Sequence, residues 1–131
     1  MTVELKLLAW TLVLALVQIA LTASFRSRET GLPYNAGPRD VPSPAPVGII
    51  TGRLIRAQNN LFETLPVFIG AVLIAHLAQV HTAATYWGAM LYFWGRVVYV
   101  PLYAFGIPYA RTLAWTASLV GIAMLLESVL K

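Results

Sequence analysis

Arg56, Asn60 and Glu63 follow one another at steps of four and three residues, the spacing of one helix side, inside a segment apolar enough to enter a membrane. A second such segment carries Arg96, Tyr99 and Tyr103 at steps of three and four, and a third opens with Arg111. A charge near the bilayer centre costs about 2.5–3.5 kcal/mol even on lenient insertion scales, so arginines and a carboxylate kept there point to a polar site between helices. The chemistry on offer is narrow. Arginines stay charged at any relevant pH and bind anions. No histidine, no serine or cysteine nucleophile with a base, and no glycine-rich phosphate cradle accompanies them. An anionic ligand with amides and carboxylates suits these residues, and so does a thiol that must be ionised. A free thiol of pKa ~8.5 is only a few per cent thiolate at pH 7. Lowering it by about two units, or ~2.7 kcal/mol, makes most of it thiolate, and one well-placed arginine in a partly dry site can supply that.

The elements that must position these groups are membrane helices. Of the 131 residues 59% are hydrophobic and 11% charged, against roughly a quarter charged in a soluble domain. At about 20 residues per span, the chain has room for four spans and one modest loop. Cysteine is absent, which excludes disulfides and cysteine-ligated metals and leaves any thiol to come from a substrate. The net charge of +4 does not indicate nucleic acid, because the arginines are dispersed in or beside apolar runs.

The hydropathy pattern predicts an all-α integral membrane protein, a single domain over residues 1–131, with spans at about 5–25, 53–80, 83–103 and 109–130. The first run exceeds the ~7–15 residues of a signal-peptide core, and Thr22-Ala23-Ser24 is a poor cleavage site, so a retained span is expected. Residues 26–52 form the one long connection. Within 26–48 the density of prolines and glycines predicts a surface loop without helix, of a length suited to a lid or contact surface. Pro66 should kink the second span, and 104–108 breaks the chain before the fourth. Arg26, Arg28, Arg39, Arg53, Arg56 and Arg111 lie in or near the first and third connections. The 80–83 turn has no lysine or arginine. The positive-inside bias therefore puts 26–52 and 104–108 in the cytoplasm and both termini on the opposite side.

Glu63 lies ten residues after Arg53, and Arg96 ten before Gly106. At 1.5 Å per residue each is about 15 Å below the cytoplasmic boundary. The second and third spans run antiparallel, so Glu63 and Arg96 are expected to pair, within one chain or between chains, because an unpaired buried charge is far worse. On the fourth span Ala114, Ala117 and Gly121 offer small residues for close packing below Arg111. Plainer roles compete. Arg53 and Arg56 could anchor to lipid headgroups, Tyr99, Tyr103 and Tyr109 could form an interfacial belt, and Glu63–Arg96 could be an assembly clasp. His76 and His81, five residues apart, miss the i,i+4 spacing of a metal chelate on one helix face, and no metal site is expected.

GPRD at 37–40, R-x-x-R-A-Q-N-N-L-F-E-x-L-P-V-F from Arg53 to Phe68, and G-R-V-V-Y-V-P-L-Y-A-F-G-I-P-Y-A-R-T-L-A-W from Gly95 to Trp115 together resemble the MAPEG family (membrane-associated proteins in eicosanoid and glutathione metabolism). The resemblance covers nearly the whole chain and is closest to the bacterial branch. It implies a homotrimer of four-helix subunits in the bacterial inner membrane, with glutathione held as co-substrate between neighbouring subunits near the cytoplasmic face. Arg56, Asn60, Glu63, Arg96, Tyr99 and Tyr103 would hold it, and Arg111 would stabilise its thiolate for conjugation or peroxide reduction. Three positions depart from the animal enzymes: Asn59 stands where a basic residue is frequent, Tyr99 where some carry histidine, and Trp115 where a phenol would serve as a second thiolate donor.

Two functions follow. One is a membrane glutathione transferase or peroxidase acting on apolar electrophiles or lipid hydroperoxides. The other is a non-catalytic membrane subunit, whose arginines bind lipid headgroups or a partner in a larger membrane complex. A small transporter is disfavoured, since four spans without an inverted repeat offer little for alternating access.

Overall fold

The computed structural model describes residues 1–40 and 48–131 and is helical, with no strand among them. Helix α1 covers Val3–Thr30, the short α2 Leu32–Ala36, α3 Ile49–Leu77, α4 Ala83–Ala104 and α5 Pro108–Leu130. The four long helices pack side by side, with α4 against α1, α3 and α5. Glu4 in the first turn of α1 accepts from Thr85 Oγ1 in the first turn of α4 at 2.9 Å. At the other end Arg53 near the start of α3 reaches Ala104 O at the end of α4. These two ties fix which ends lie together, and they put the connection after α1 and the α4–α5 turn at one end of the molecule.

The sequence explains most boundaries. Thr2 caps α1 by accepting from Leu5 N, and Thr82 and Thr85 form a reciprocal capping box at the start of α4. Pro108 opens α5, where a missing N–H costs nothing. The region 26–48 departs from the loop expected of it. Helix α1 runs five residues past position 25, and 32–36 form a further helical turn. Pro33 sits in the first turn of α2, where proline is tolerated, so its presence did not argue against helix there. Asn35 ties this turn back to α1, accepting from Thr30 Oγ1 at 2.9 Å and donating to Ser27 Oγ at 3.3 Å. Pro42, Pro44 and Pro46 lie outside the described residues. Helix α3 starts at Ile49 rather than 53 because Glu29, from the end of α1, accepts from Gly48 N at 2.6 Å and from Thr51 Oγ1 at 2.8 Å.

Three helices, α1, α3 and α5, are long and apolar enough to cross a membrane. Helix α4, predicted as a span, is 22 residues long and is not among these three; it carries Arg96 and four tyrosines. Its polar groups turn inward. Arg96 and Tyr92 are fully buried, and the Tyr92 ring stacks on Phe68 of α3 with centroids 4.0 Å apart. Its junction with α5 is made close by glycine. A methyl on Gly88 would come within 2.6 Å of Gly121 O, and one on Gly95 within 2.9 Å of Ala114 O. Ala114 and Gly121 thus do what their small size suggested. Large apolar side chains such as Trp10, Leu16, Leu113 and Val67 face outward. Glu127 and Lys131 pair with each other, well exposed, at the C-terminus of α5.

Candidate functional site

At the end shared by the start of α3, the end of α4 and the start of α5, a cleft of about 570 Å³ opens. Helix α3 contributes Arg56, Asn60 and Glu63, α4 contributes Tyr99 and Tyr103, and α5 contributes Arg111. Six of the seven residues expected to form a site therefore do line one cavity. The seventh, Arg96, lies fully buried beside it and does not line it. Asn59, Thr112 and Trp115 also line the cleft. Thr112 was not foreseen; its position one residue after Arg111 was the available signal.

Arg96 does not pair with Glu63 within the chain. Its Nη1 donates to Asn60 Oδ1 at 2.7 Å, and Nη2 reaches Ala57 O at 3.5 Å. The reason is angular. A step of three residues turns the helix about 60° short of a full circle, so Glu63 points away from the line of Ala57 and Leu61 that faces the interior. Glu63 is exposed in the single chain and has no hydrogen bond or ion pair among the described residues. Depth alone had made it level with Arg96; direction separates them.

The arginines and tyrosines alternate. The Arg96 guanidinium lies 4.2 Å from the Tyr99 ring centroid, the Tyr99 and Tyr103 rings are 5.5 Å apart, and the Arg111 guanidinium lies 4.7 Å from the Tyr103 centroid. Arg56 donates from Nε to the Tyr103 hydroxyl at 3.0 Å. Tyr103 is thus gripped at its oxygen by one arginine and on its ring by another, which holds both cations at the cleft against their mutual repulsion. Among the described residues the Arg111 side chain has no hydrogen-bond or ion-pair partner, so its donors are available to a ligand. Arg53 is tied inward, with Nη1 3.4 Å from Ala104 O at the negative end of α4 and its guanidinium packed under Gly106, where a Cβ would come within 2.8 Å.

The cleft lining holds no cysteine, serine or histidine; its hydroxyls are those of Tyr99, Tyr103 and Thr112, and its one carboxylate is Glu63. No group of three or more histidine, aspartate or glutamate side chains is placed to hold a metal among the described residues. The cleft lining carries two cations, Arg56 and Arg111, against one carboxylate, Glu63.

A scan against protein-family models matches the MAPEG family over residues 7–130. The chain belongs to the MAPEG family. Membership accounts for the membrane helices, and this family generally uses glutathione and commonly forms oligomers. Searches of curated proteins and of solved structures returned no match. This MAPEG chain is accordingly an integral membrane protein.

A second pocket, about 240 Å³, lies on another flank of α3, against α1 and α2, and is lined in part by Thr22, Arg26, Asn35, Arg39 and Gln58. Arg26 Nε and Gln58 Oε1 are buried there without a hydrogen-bond partner among the described residues. The sequence marked Arg26 only as an orientation charge, although it follows Gln18 and Thr22 at steps of four, and assigned Gln58 no role.

Proposed function

We propose that this MAPEG protein is a membrane glutathione transferase or peroxidase, acting on apolar electrophiles or lipid hydroperoxides. The observation that carries this reading is the Arg111 guanidinium, held at the cleft by Tyr103 with its donors unused. Glutathione supplies a thiol which, as thiolate, displaces a leaving group from an electrophilic carbon or attacks the terminal oxygen of a hydroperoxide. The second course breaks the O–O bond to release the alcohol and leaves a sulfenic acid, which a second glutathione converts to the disulfide and water. Arg111 stabilises the thiolate. Arg56 meets a carboxylate, Glu63 the ammonium, and Asn60 with Tyr99 and Tyr103 the amide and carboxylate oxygens. Arg96 acts from behind, through Asn60. The apolar co-substrate comes from the bilayer and meets the site at Trp115, which is partly exposed at the cleft edge.

The same reading takes α4 as the fourth span of one domain covering 1–131, shielded by its neighbours, with the cleft end cytoplasmic in a bacterial inner membrane. Six arginines at or near that end support the orientation. The exposed charges of Arg56 and Glu63 need cover at membrane depth, which supports assembly into a homotrimer. In a closed ring of copies one flank of α3 meets a different flank of the next chain. The cleft of one copy then faces the second pocket of its neighbour, and the unpartnered Arg26 Nε and Gln58 Oε1 meet the ligand there.

The ultraviolet difference spectrum of the purified protein on adding glutathione tests this. The expected result is a saturable thiolate band with proton release, lost in Arg111→Ala. If millimolar glutathione gives no band, the reading falls, and the cleft belongs to a non-catalytic subunit that binds anionic headgroups or a partner's carboxylates.

A further inference from the structure

His76 and His81 sit at the α3–α4 turn, at the end of the molecule away from the cleft. Their separation of five argues against a shared face only while the helix continues. It does not continue. Helix α3 ends at Leu77, and Gln79 adopts a left-handed conformation (φ 57°). Val80 N donates to Ala75 O at 2.9 Å and Gln79 N to His76 O at 3.1 Å, the two bonds of a Schellman close. This reversal carries His81 back beside His76. The two rings stand with centroids 6.2 Å apart, tilted by 57°, and line one pocket with Leu77 and Gln79.

We propose that His76 and His81 form a binding site for a divalent transition-metal ion of the zinc type. A metal about 2.1 Å from each imidazole nitrogen leaves the ring centroids roughly 4.5–6.4 Å apart, depending on the angle at the metal. At the tetrahedral angle usual for zinc the centroids stand about 5.2 Å apart, so the observed 6.2 Å must close by about 1 Å on binding. Both histidines are exposed, so the nitrogens can turn to a common point without repacking a core. The Gln79 amide oxygen is a third donor on the same pocket, and water completes the shell. Imidazole ligands without thiolate favour zinc, copper or nickel over calcium or magnesium. The bound ion would pin the α3–α4 turn and couple the ends of two long helices.

The test uses the full chain in detergent, carrying no polyhistidine tag, titrated with Zn²⁺ by calorimetry and with Co²⁺ by visible absorption. One saturable site per chain at micromolar metal is expected, at least tenfold weaker in His76→Gln and in His81→Gln and unchanged in Glu127→Gln. Glutathione binding by each histidine variant serves as the folding control, since the cleft lies at the opposite end. Zinc affinity that is unaltered in both histidine variants, or no binding by the unmodified chain at micromolar metal, overturns the proposal.

Discussion

Arg96 donates from Nη1 to Oδ1 of Asn60 at 2.7 Å, across the junction of α4 and α3. A guanidinium has donors only, so the Asn60 amide must present its oxygen to Arg96 and keep Nδ2 for the cleft. Arg96 thereby makes Asn60 a donor and selects for a ligand with an acceptor at that point.

Replacing Arg96 by Met separates this role from folding. Methionine removes the desolvation cost of the buried cation, which offsets the loss of its bonds to Asn60 Oδ1 and Ala57 O and of its contact with the Tyr99 ring. The freed amide of Asn60 loses its fixed orientation, worth about 1–1.5 kcal/mol, or roughly tenfold in affinity. The expectation is a glutathione KM about tenfold higher with kcat little changed and an unaltered or raised Tm, read by steady-state kinetics and thermal unfolding. A lower Tm with unchanged KM would show Arg96 to be structural only.

Arg111 should set the pH dependence of turnover. The reactive form is the thiolate, and an adjacent guanidinium lowers the pH at which it forms. Without Arg111 the thiol reverts toward its ordinary pKa of ~8.5. At neutral pH Arg111→Ala should therefore lose about 25-fold in kcat, as the thiolate falls from most of the thiol to a few per cent of it, and recover part of it as pH rises. Lysine at this position should retain an intermediate rate, because it keeps the charge and loses the flat guanidinium over Tyr103. A pH–rate profile of Arg111→Ala that is parallel to the wild type would reject the assignment.

These two arginines also show what the sequence made legible. Arg111 and Tyr103 could be brought together from helical spacing and a short break between spans, because both depend only on local geometry. The partner of Arg96 could not. Depth placed Glu63 level with it, but three-residue steps drift round the helix, and only the packing of Ala57 and Leu61 inward decides which polar group Arg96 meets. The start of α3 was missed for a related reason, since its cap comes from Glu29, 19 residues before Gly48. The pairing of His76 with His81 was hidden by a left-handed glutamine, a conformation that no residue preference announces.

The α4–α5 junction should be the least forgiving part of the fold. Gly88 is buried against the backbone of Gly121, and a Cβ there would lie 2.6 Å from a carbonyl oxygen that cannot move without shifting α5. Gly88→Val adds further bulk against Met124 and Leu125. A loss of about 1–3 kcal/mol is expected, seen as a clear fall in Tm. The cleft depends on the same junction, because Arg111 belongs to α5 and Tyr103 to α4. Glutathione affinity should fall with stability, whereas the exposed control Leu113→Val should change neither.

Glu29 joins the end of α1 to the start of α3, accepting from Gly48 N at 2.6 Å and Thr51 Oγ1 at 2.8 Å. A carboxylate at a helix N-terminus gains from both the unsatisfied backbone donors and the helix dipole. Glutamine keeps the shape and one acceptor oxygen but loses the charge, and its amide group would oppose one of the two donors. Glu29→Gln should therefore cost about 1–2 kcal/mol, and Glu29→Ala no less. The loss should concentrate locally. Hydrogen exchange of the first turn of α3, around 49–53, should accelerate about 10-fold or more, while the α4 core around Tyr92 and Ala89 keeps its protection. Arg56 stands two turns into the same helix, so glutathione affinity should weaken in step with that fraying. Uniform acceleration across α3 and α4 would instead mean that Glu29 supports the whole assembly of helices, and unchanged exchange at 49–53 would mean that α3 is held at its start by packing alone.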